Sequence, residues 1–141
     1  MLQYAATLTP EPEHPYGYTV TFRDVPEAIT CGLTLEDALK YAAEALELAI
    51  EHYMDERRPA PLPTPAQEGE HVITLPVSFS LKVALLNEMI LQDVRPAELA
   101  RRLGTSKQDV NRLTTLSHAT KVDRLAEAFH ALGKELTISI G

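Results

Sequence analysis

The stretch Pro96-Ala-Glu-Leu-Ala100-Arg-Arg-Leu-Gly104-Thr-Ser-Lys-Gln-Asp-Val110-Asn-Arg-Leu113 decides the architecture of the second half of the chain. Proline suits the first position of a helix, where its fixed φ is already helical and its missing N–H had no partner to lose. Leu99, Ala100 and Leu103 then share one face, and Gly104 supplies the break. Val110 and Leu113 follow at the spacing of a second short helix that begins near Ser106. A short glycine-containing turn lets two helices cross steeply, and the small Ala100 lets them approach closely. The pattern predicts a helix-turn-helix, with Ser106, Lys107, Gln108, Asn111 and Arg112 left outside. Asn and Gln bond adenine bidentately and Arg or Lys bonds guanine, so double-stranded DNA is the expected partner of this face. Arg101, Arg102 and Lys121 are expected to meet phosphates, with Lys82 a further candidate. Thr105 and Gln108 have capping-box spacing, and a capping side chain is not free to read a base. Lys107, Asn111 and Arg112 are therefore the stronger reading residues. Glu98 and Asp109 carry the wrong sign for a phosphate neighbour.

Working outward, Val72 to Leu75 reads as a strand stopped by Pro76, and Ser78 or Ser80 is expected to cap a largely buried helix carrying Phe79 to Ile90. Thr120 is expected to cap a last helix, ended by Gly133. Leu136, Ile138 and Ile140 alternate as a final strand. Unpaired strand edges are a liability, so the strands around Ile73 and Ile138 are expected to pair, within one chain or across a two-fold axis. Pairing across the axis gives a homodimer or a higher even oligomer. Two reading helices would then lie about 34 Å apart on successive major-groove faces.

Upstream, Pro59, Pro61, Pro63 and Pro65 alternate in a segment without hydrophobic periodicity, which predicts a semi-rigid polyproline connector. The expected division is 1–58, a linker 59–70, and 71–141. In the first part Leu2, Tyr4, Ala6 and Leu8 alternate, as do Tyr16, Tyr18, Val20 and Phe22, predicting a hairpin through the Pro10 to Gly17 region. A short third strand is expected at Ile29 to Gly32. Thr34 with Asp37 then signals a helix start, and an apolar stripe runs to about Arg57. The fold class is α+β: a β-β-β-α unit followed by a helical unit with flanking strands. On the far face of the long helix Asp37, Glu44, Glu47, Glu51 and Asp55 read either as a solvated face or as a docking surface for a basic protein, because complementary charge steers association.

The formal charge of −7 hides a division: residues 1–70 hold 4 basic and 13 acidic side chains, and residues 71–141 hold 9 and 7. One half suits a polyanion and the other a basic partner. The start Met1-Leu2-Gln3-Tyr4 lacks the basic flank and apolar stretch of a signal peptide, so a cytoplasmic protein without membrane association is expected. Cys31 stands alone, which excludes an internal disulfide and Cys-x-x-Cys chemistry, and a buried apolar role is expected for it. The five histidines, His14, His52, His71, His118 and His130, make no metal-ligand spacing, and no glycine-rich phosphate loop is present. No metal, cofactor or catalysis is expected.

The combined pattern resembles the HicB-type antitoxins. The likeness rests on Tyr18-Thr-Val-Thr-Phe22-Arg-Asp24-Val-Pro26-Glu-Ala28, Thr30-Cys-Gly32-Leu-Thr34, Glu36-Asp-Ala38, Pro61-Leu-Pro63, Glu98-Leu-Ala100-Arg-Arg-Leu103-Gly104, His118-Ala-Thr120-Lys-Val-Asp123 and Ala131-Leu-Gly133-Lys-Glu135-Leu. It implies a partial ribonuclease H-like amino-terminal fold that covers a small basic HicA-type toxin, an RNA-cleaving protein. It also implies repression of the pair's own operon through a Cro/repressor-type helix-turn-helix on operator DNA. Arg95 stands where a capping Ser or Thr is commoner. A ribonuclease H site would need carboxylates converging on two metal ions, and Leu2 to Thr9 contains none. The rival expectation is a one-component repressor whose first unit senses a small molecule between Tyr4, Tyr16, Tyr18 and Tyr53.

Overall fold

A computed structural model describes residues 2–141, and the chain divides into two units: 2–56 with Ala60–Pro76, and 57–59 with Val77–Gly141. In the first unit β1 (Gln3–Glu11) and β2 (His14–Phe22) form the predicted hairpin, and β3 (Ile29–Gly32) pairs antiparallel with β2. The two-residue connection Pro12–Glu13 is tighter than expected, and the register shifts between Pro10 and Glu11 where the ladder gives way. α1 (Leu35–Asp55) starts as the sequence predicts: the Thr34 hydroxyl accepts from the Asp37 amide at 3.0 Å. Its buried stripe, Ala38, Ala42, Leu46, Ile50 and Tyr53, packs over Val20 and Phe22 in the core. Gly32 permits this closeness. A Cβ there would lie 2.5 Å from the Ala38 nitrogen.

The fourth strand finds a partner in its own unit. β4 (His71–Thr74) pairs antiparallel with β1, Ile73 opposite Tyr4, giving the order β3-β2-β1-β4. Ile73 is buried on the sheet's core side, and one edge of β4 is paired by β1 of its own chain. Residues 134–140 form no regular strand, with Ile138 and Ile140 exposed. The strand expected around Ile138 is therefore absent, and β4 belongs to the sheet of the first unit.

The proline-rich segment also departs from a free connector. From Ala60 onward it belongs to the first unit, which moves the division from Pro59–Glu70 to Pro76. Arg23 grips Glu70 at 2.9 and 3.3 Å, donates to the Pro65 carbonyl at 3.1 Å and bonds the Thr64 hydroxyl. Asp24 accepts from the Thr64 amide at 2.8 Å, which, with smaller contributions from the hydroxyl and Arg23, holds its carboxyl below the usual range. The Tyr4 hydroxyl donates to the Pro61 carbonyl at 2.7 Å. Four prolines remove four amide donors. Tyr4 of β1 and the two residues after β2, Arg23 and Asp24, tie down the carbonyls and the Thr64 amide that remain.

The second unit contains α2 (Val77–Leu91), α3 (Pro96–Leu103), α4 (Lys107–Thr114) and α5 (Val122–Ala131). α2 begins directly after Pro76, so Ser78 and Ser80 lie inside it and neither is its cap. α5 begins at Val122 with Lys121 at the cap position and no side-chain cap bond, so Thr120 does not cap it. Gly133 follows with φ 74°, as expected beyond a helix end. Leu85, Met89, Leu99, Val110, Leu113, Leu125 and Phe129 make one core. Each fully buried aliphatic or aromatic side chain is worth about 2 kcal/mol.

Candidate functional site

The quoted stretch folds as two eight-residue helices. Gly104 closes α3 in the left-handed region at φ 64°, and the Thr105 amide donates to the Ala100 carbonyl at 3.0 Å. Arg95 precedes Pro96 in extended conformation without a side-chain cap bond, as its identity foretold. The capping of α4 differs from the expected box. Ser106 is the cap, its hydroxyl accepting from the Asp109 amide at 3.1 Å, and the Thr105 hydroxyl donates to the Asp109 carboxylate at 2.9 Å. Gln108 is thereby released. Val110 and Leu113 anchor the inner face, while Ser106, Lys107, Gln108, Asn111 and Arg112 are exposed together on the outer one.

The two acids of the wrong sign are both neutralised locally. Asp109 accepts from Arg124 and from Thr105, in that order of effect, which keeps its carboxyl low. Glu98 is drawn down to about 2 by hydrogen bonds from Arg101 and then Arg102. The Arg101 Nε sits at 2.8 Å and the Arg102 Nε at 3.1 Å, and Arg102 also donates to the Ala131 carbonyl at 3.1 Å. The two expected phosphate binders of α3 are thus already engaged.

Lys82 requires a correction. Its side chain is 0% exposed, which rules out a phosphate contact. The ammonium donates to the carbonyls of Arg112 at 3.0 Å and Thr115 at 2.9 Å, and to that of His118. They lie at the negative end of α4 and in the turn beyond it, where the Arg112 and Thr115 carbonyls also accept from the Thr115 and His118 amides. Desolvation lowers its pKa. A lysine read from sequence as a surface cation is instead the peg that holds the end of α4.

A basic notch of about 320 Å³ opens beside that end, lined by Arg112, His118, Thr120, Lys121 and Arg124 with Asp109 at one wall. It unites the expected Arg112 and Lys121 with His118 and Arg124, which sequence reasoning missed. The available signal was the position of Arg124, three residues beyond Lys121 in the first turn of the following helix.

In the first unit all five acidic candidates lie on α1. Asp55 and Glu44 are exposed, and Asp37, Glu47 and Glu51 are half-buried. Burial, then repulsion by Glu51 and Glu44, pushes the Glu47 carboxyl up. Asp37 stands apart and faces a recess with Tyr18 and Tyr41. The four tyrosines of the ligand-sensing reading do not form one pocket: Tyr4 and Tyr53 are core, Tyr53 donating to Glu27 at 2.7 Å, and Tyr16 is 80% exposed. Burial, with Asp24 nearby, pushes Tyr4 up to about 12. Cys31 is exposed, contrary to the apolar role expected, because it points away from α1 on the open sheet face. Among the described residues no cluster of three or more His, Cys, Asp or Glu could hold a metal ion, and no helix is long and apolar enough to cross a membrane.

The structure deepens the charge division. The first unit carries thirteen acidic side chains against two basic ones, Arg23 and Lys40, and the second carries seven against eleven. The chain thus joins an acidic sheet-and-helix unit to a basic helical unit. Residues 3–84 match the family model described as the HicB-like antitoxin of bacterial toxin–antitoxin systems. Antitoxin HicB of Escherichia coli (strain K12) is 44% identical over 137 residues, covering 97% of this chain and 98% of that one. Antitoxin HicB 2 of Photorhabdus laumondii is 46% identical over 122 residues, covering 86% of each chain. Antitoxin HicB of Pseudomonas fluorescens (strain Pf0-1) is 35% identical over 141 residues, covering 99% and 94%. The chain belongs to the HicB-like antitoxin family.

Proposed function

We propose that this chain neutralises a HicA-type mRNA-cleaving toxin by direct binding and represses its own operon by binding operator DNA. The observation that carries the reading is the separation of charge between units: thirteen acids against two bases in one, eleven bases against seven acids in the other. A cationic RNA-binding toxin is drawn to the first, and the DNA polyanion to the second. In the DNA-binding role α3 and α4 act as a helix-turn-helix. Lys107, Gln108, Asn111 and Arg112 read base edges from a helix that Ser106 caps and Lys82 holds at its far end. Lys121, with Arg124 and His118 beside it, takes a phosphate, while Arg101 and Arg102 have first to leave Glu98. Asp37, Glu44, Glu47, Glu51 and Asp55 serve the toxin. The chain acts by binding alone, in the cytoplasm where both partners are found.

Operator binding calls for two copies with their reading helices about 34 Å apart. The test has two arms on the full chain: fluorescence anisotropy with its own upstream DNA against scrambled DNA, and calorimetry with the small basic protein encoded in the adjacent reading frame. Saturable binding in both, with a preference for the upstream sequence, supports the proposal. Equal affinity for scrambled DNA refutes repression of the operon, and no heat with the basic protein refutes neutralisation.

A further inference from the structure

We propose that the groove between the free edge of β3 and the helix α1 receives an extended segment of the basic partner, added to the sheet as a fifth strand. The inference deepens the antitoxin reading and rests on it, naming where and how the partner docks.

Three observations converge there. First, in the order β3-β2-β1-β4 the strand β3 is an edge. An edge strand carries a row of N–H and C=O groups turned away from its neighbour, which another chain can pair with. Second, a recess opens at each end of β3 beside α1. One, of about 460 Å³, lies at the hairpin end of the sheet, where His14, Gly17 and Tyr18 of β2 and Cys31–Leu33 meet Asp37 and Tyr41. The other, of about 300 Å³, lies between Ile29 and the helical residues Ala45, Leu48 and His52. Both include residues of β3 or its end and of α1, so they mark the two ends of the strand on its helix side. Third, apolar side chains stand open beside it: Tyr41 is 40% exposed, Leu33 65% and Leu48 66%. Isolated exposed apolar residues are ordinary, but a row of them along one unpaired edge marks an interaction site.

The helix shows which chemistry the groove takes. At 100° per residue, Tyr41, Ala45, Leu48 and His52 form a stripe beside the buried set Ala38, Ala42, Leu46 and Ile50. Asp37, Glu44, Glu51 and Asp55 form the next stripe out. α1 thus presents more apolar surface than three strands cover, and a carboxylate lip beyond it. A strand paired to β3 lays alternate side chains against the apolar stripe. Lysines or arginines at its margin reach the lip. A second copy of this chain is a poor occupant, because edge-to-edge pairing would bring the same carboxylate lips together. A basic segment fits both layers.

The experiment uses the full chain and the small basic protein of the adjacent reading frame. Amide hydrogen exchange is followed at Ile29 to Leu33, free and in the complex. At least one outward-pointing amide in this run is expected to slow by 100-fold or more, with intramolecular β2 contacts unchanged. Leu48→Arg, exposed in the free protein and so compatible with folding, is expected to weaken the complex at least tenfold. Leu62→Arg, placed on a side chain 71% exposed in the proline-rich segment, is expected to leave affinity unchanged. Tight binding by wild type with no new protection in Ile29–Leu33 and with an unaffected Leu48→Arg variant overturns the groove while leaving neutralisation standing. No binding by wild type overturns both.

Discussion

Replacing Lys82 by Met tests whether the end of the reading helix is pinned from within. Methionine keeps the apolar stem and loses the ammonium's three hydrogen bonds; the Arg112 and Thr115 carbonyls keep a backbone donor each, and that of His118 loses its ammonium partner. A hydrogen bond from a charged donor is worth about 1.5–3 kcal/mol, so losing three, two of them to carbonyls that stay bonded, costs about 3–6 kcal/mol. Relief from burying a charge returns about 2–3 kcal/mol. A net destabilisation of about 2 kcal/mol is expected for the second unit. For a unit of this size that lowers the melting temperature by about 10 °C. The assay is urea and thermal unfolding of the full chain, with amide exchange at Val110–His118 to localise the change. Operator affinity is expected to fall about tenfold on specific and non-specific DNA alike, since α4 loosens as a body. An unchanged unfolding midpoint together with weaker DNA binding refutes the reasoning, because it would mean that Lys82 meets the nucleic acid directly.

Gly32→Ala places a Cβ 2.5–2.9 Å from backbone atoms of Asp37 and Ala38; overpacking of that kind costs about 1–3 kcal/mol, seen as an earlier unfolding transition of the first unit. Arg112→Ala is expected to cost about 1–3 kcal/mol of operator affinity, with a larger loss on the operator than on scrambled DNA; equal loss on both assigns it to phosphate. Glu47→Gln removes repulsion with Glu44 and Glu51 and is expected to stabilise the first unit by about 0.5–1 kcal/mol at pH 7. Because its folded pKa is raised, ionised Glu47 costs stability above that value and the cost vanishes as pH falls through it. The advantage of the variant therefore disappears in unfolding measured near pH 4, and its persistence there would contradict the assignment. Glu98 behaves oppositely: lowered from 4.5 to about 2, it stabilises the second unit above pH 4.5, and that contribution drains away between pH 4.5 and 2.

Features written locally were legible. β3 at Ile29–Gly32, the Thr34 cap, and the pair α3 and α4 with Gly104 between them follow from periodicity, caps and one left-handed residue. Features that depend on distant partners were not. Val72 to Leu75 announces a strand, yet nothing nearby says that its partner is β1, some seventy residues earlier. Prolines at alternate positions announce an extended chain. That it is sewn down by Arg23 and Asp24 is visible only when Thr64 and Glu70 come within reach. Lys82 is the sharpest instance, since its three acceptors exist only after α4 and its following turn have folded against α2.

The same distinction applies to charge. Counting residues makes α3, with Arg101 and Arg102, as basic as the end of α4. Pairing reverses the ranking, because both guanidiniums serve Glu98 while Arg112 and Lys121 line an open notch with Arg124 beside them. Each phosphate neutralised adds about 0.9 to the slope of log affinity against log salt. Lys121→Ala is therefore expected to flatten that slope by about 1, and Arg101→Ala by much less, since an engaged guanidinium releases few counterions on binding. An equal flattening by both would show that the Glu98 pairs open on DNA, and the α3 arginines would regain the role their formal charge suggested.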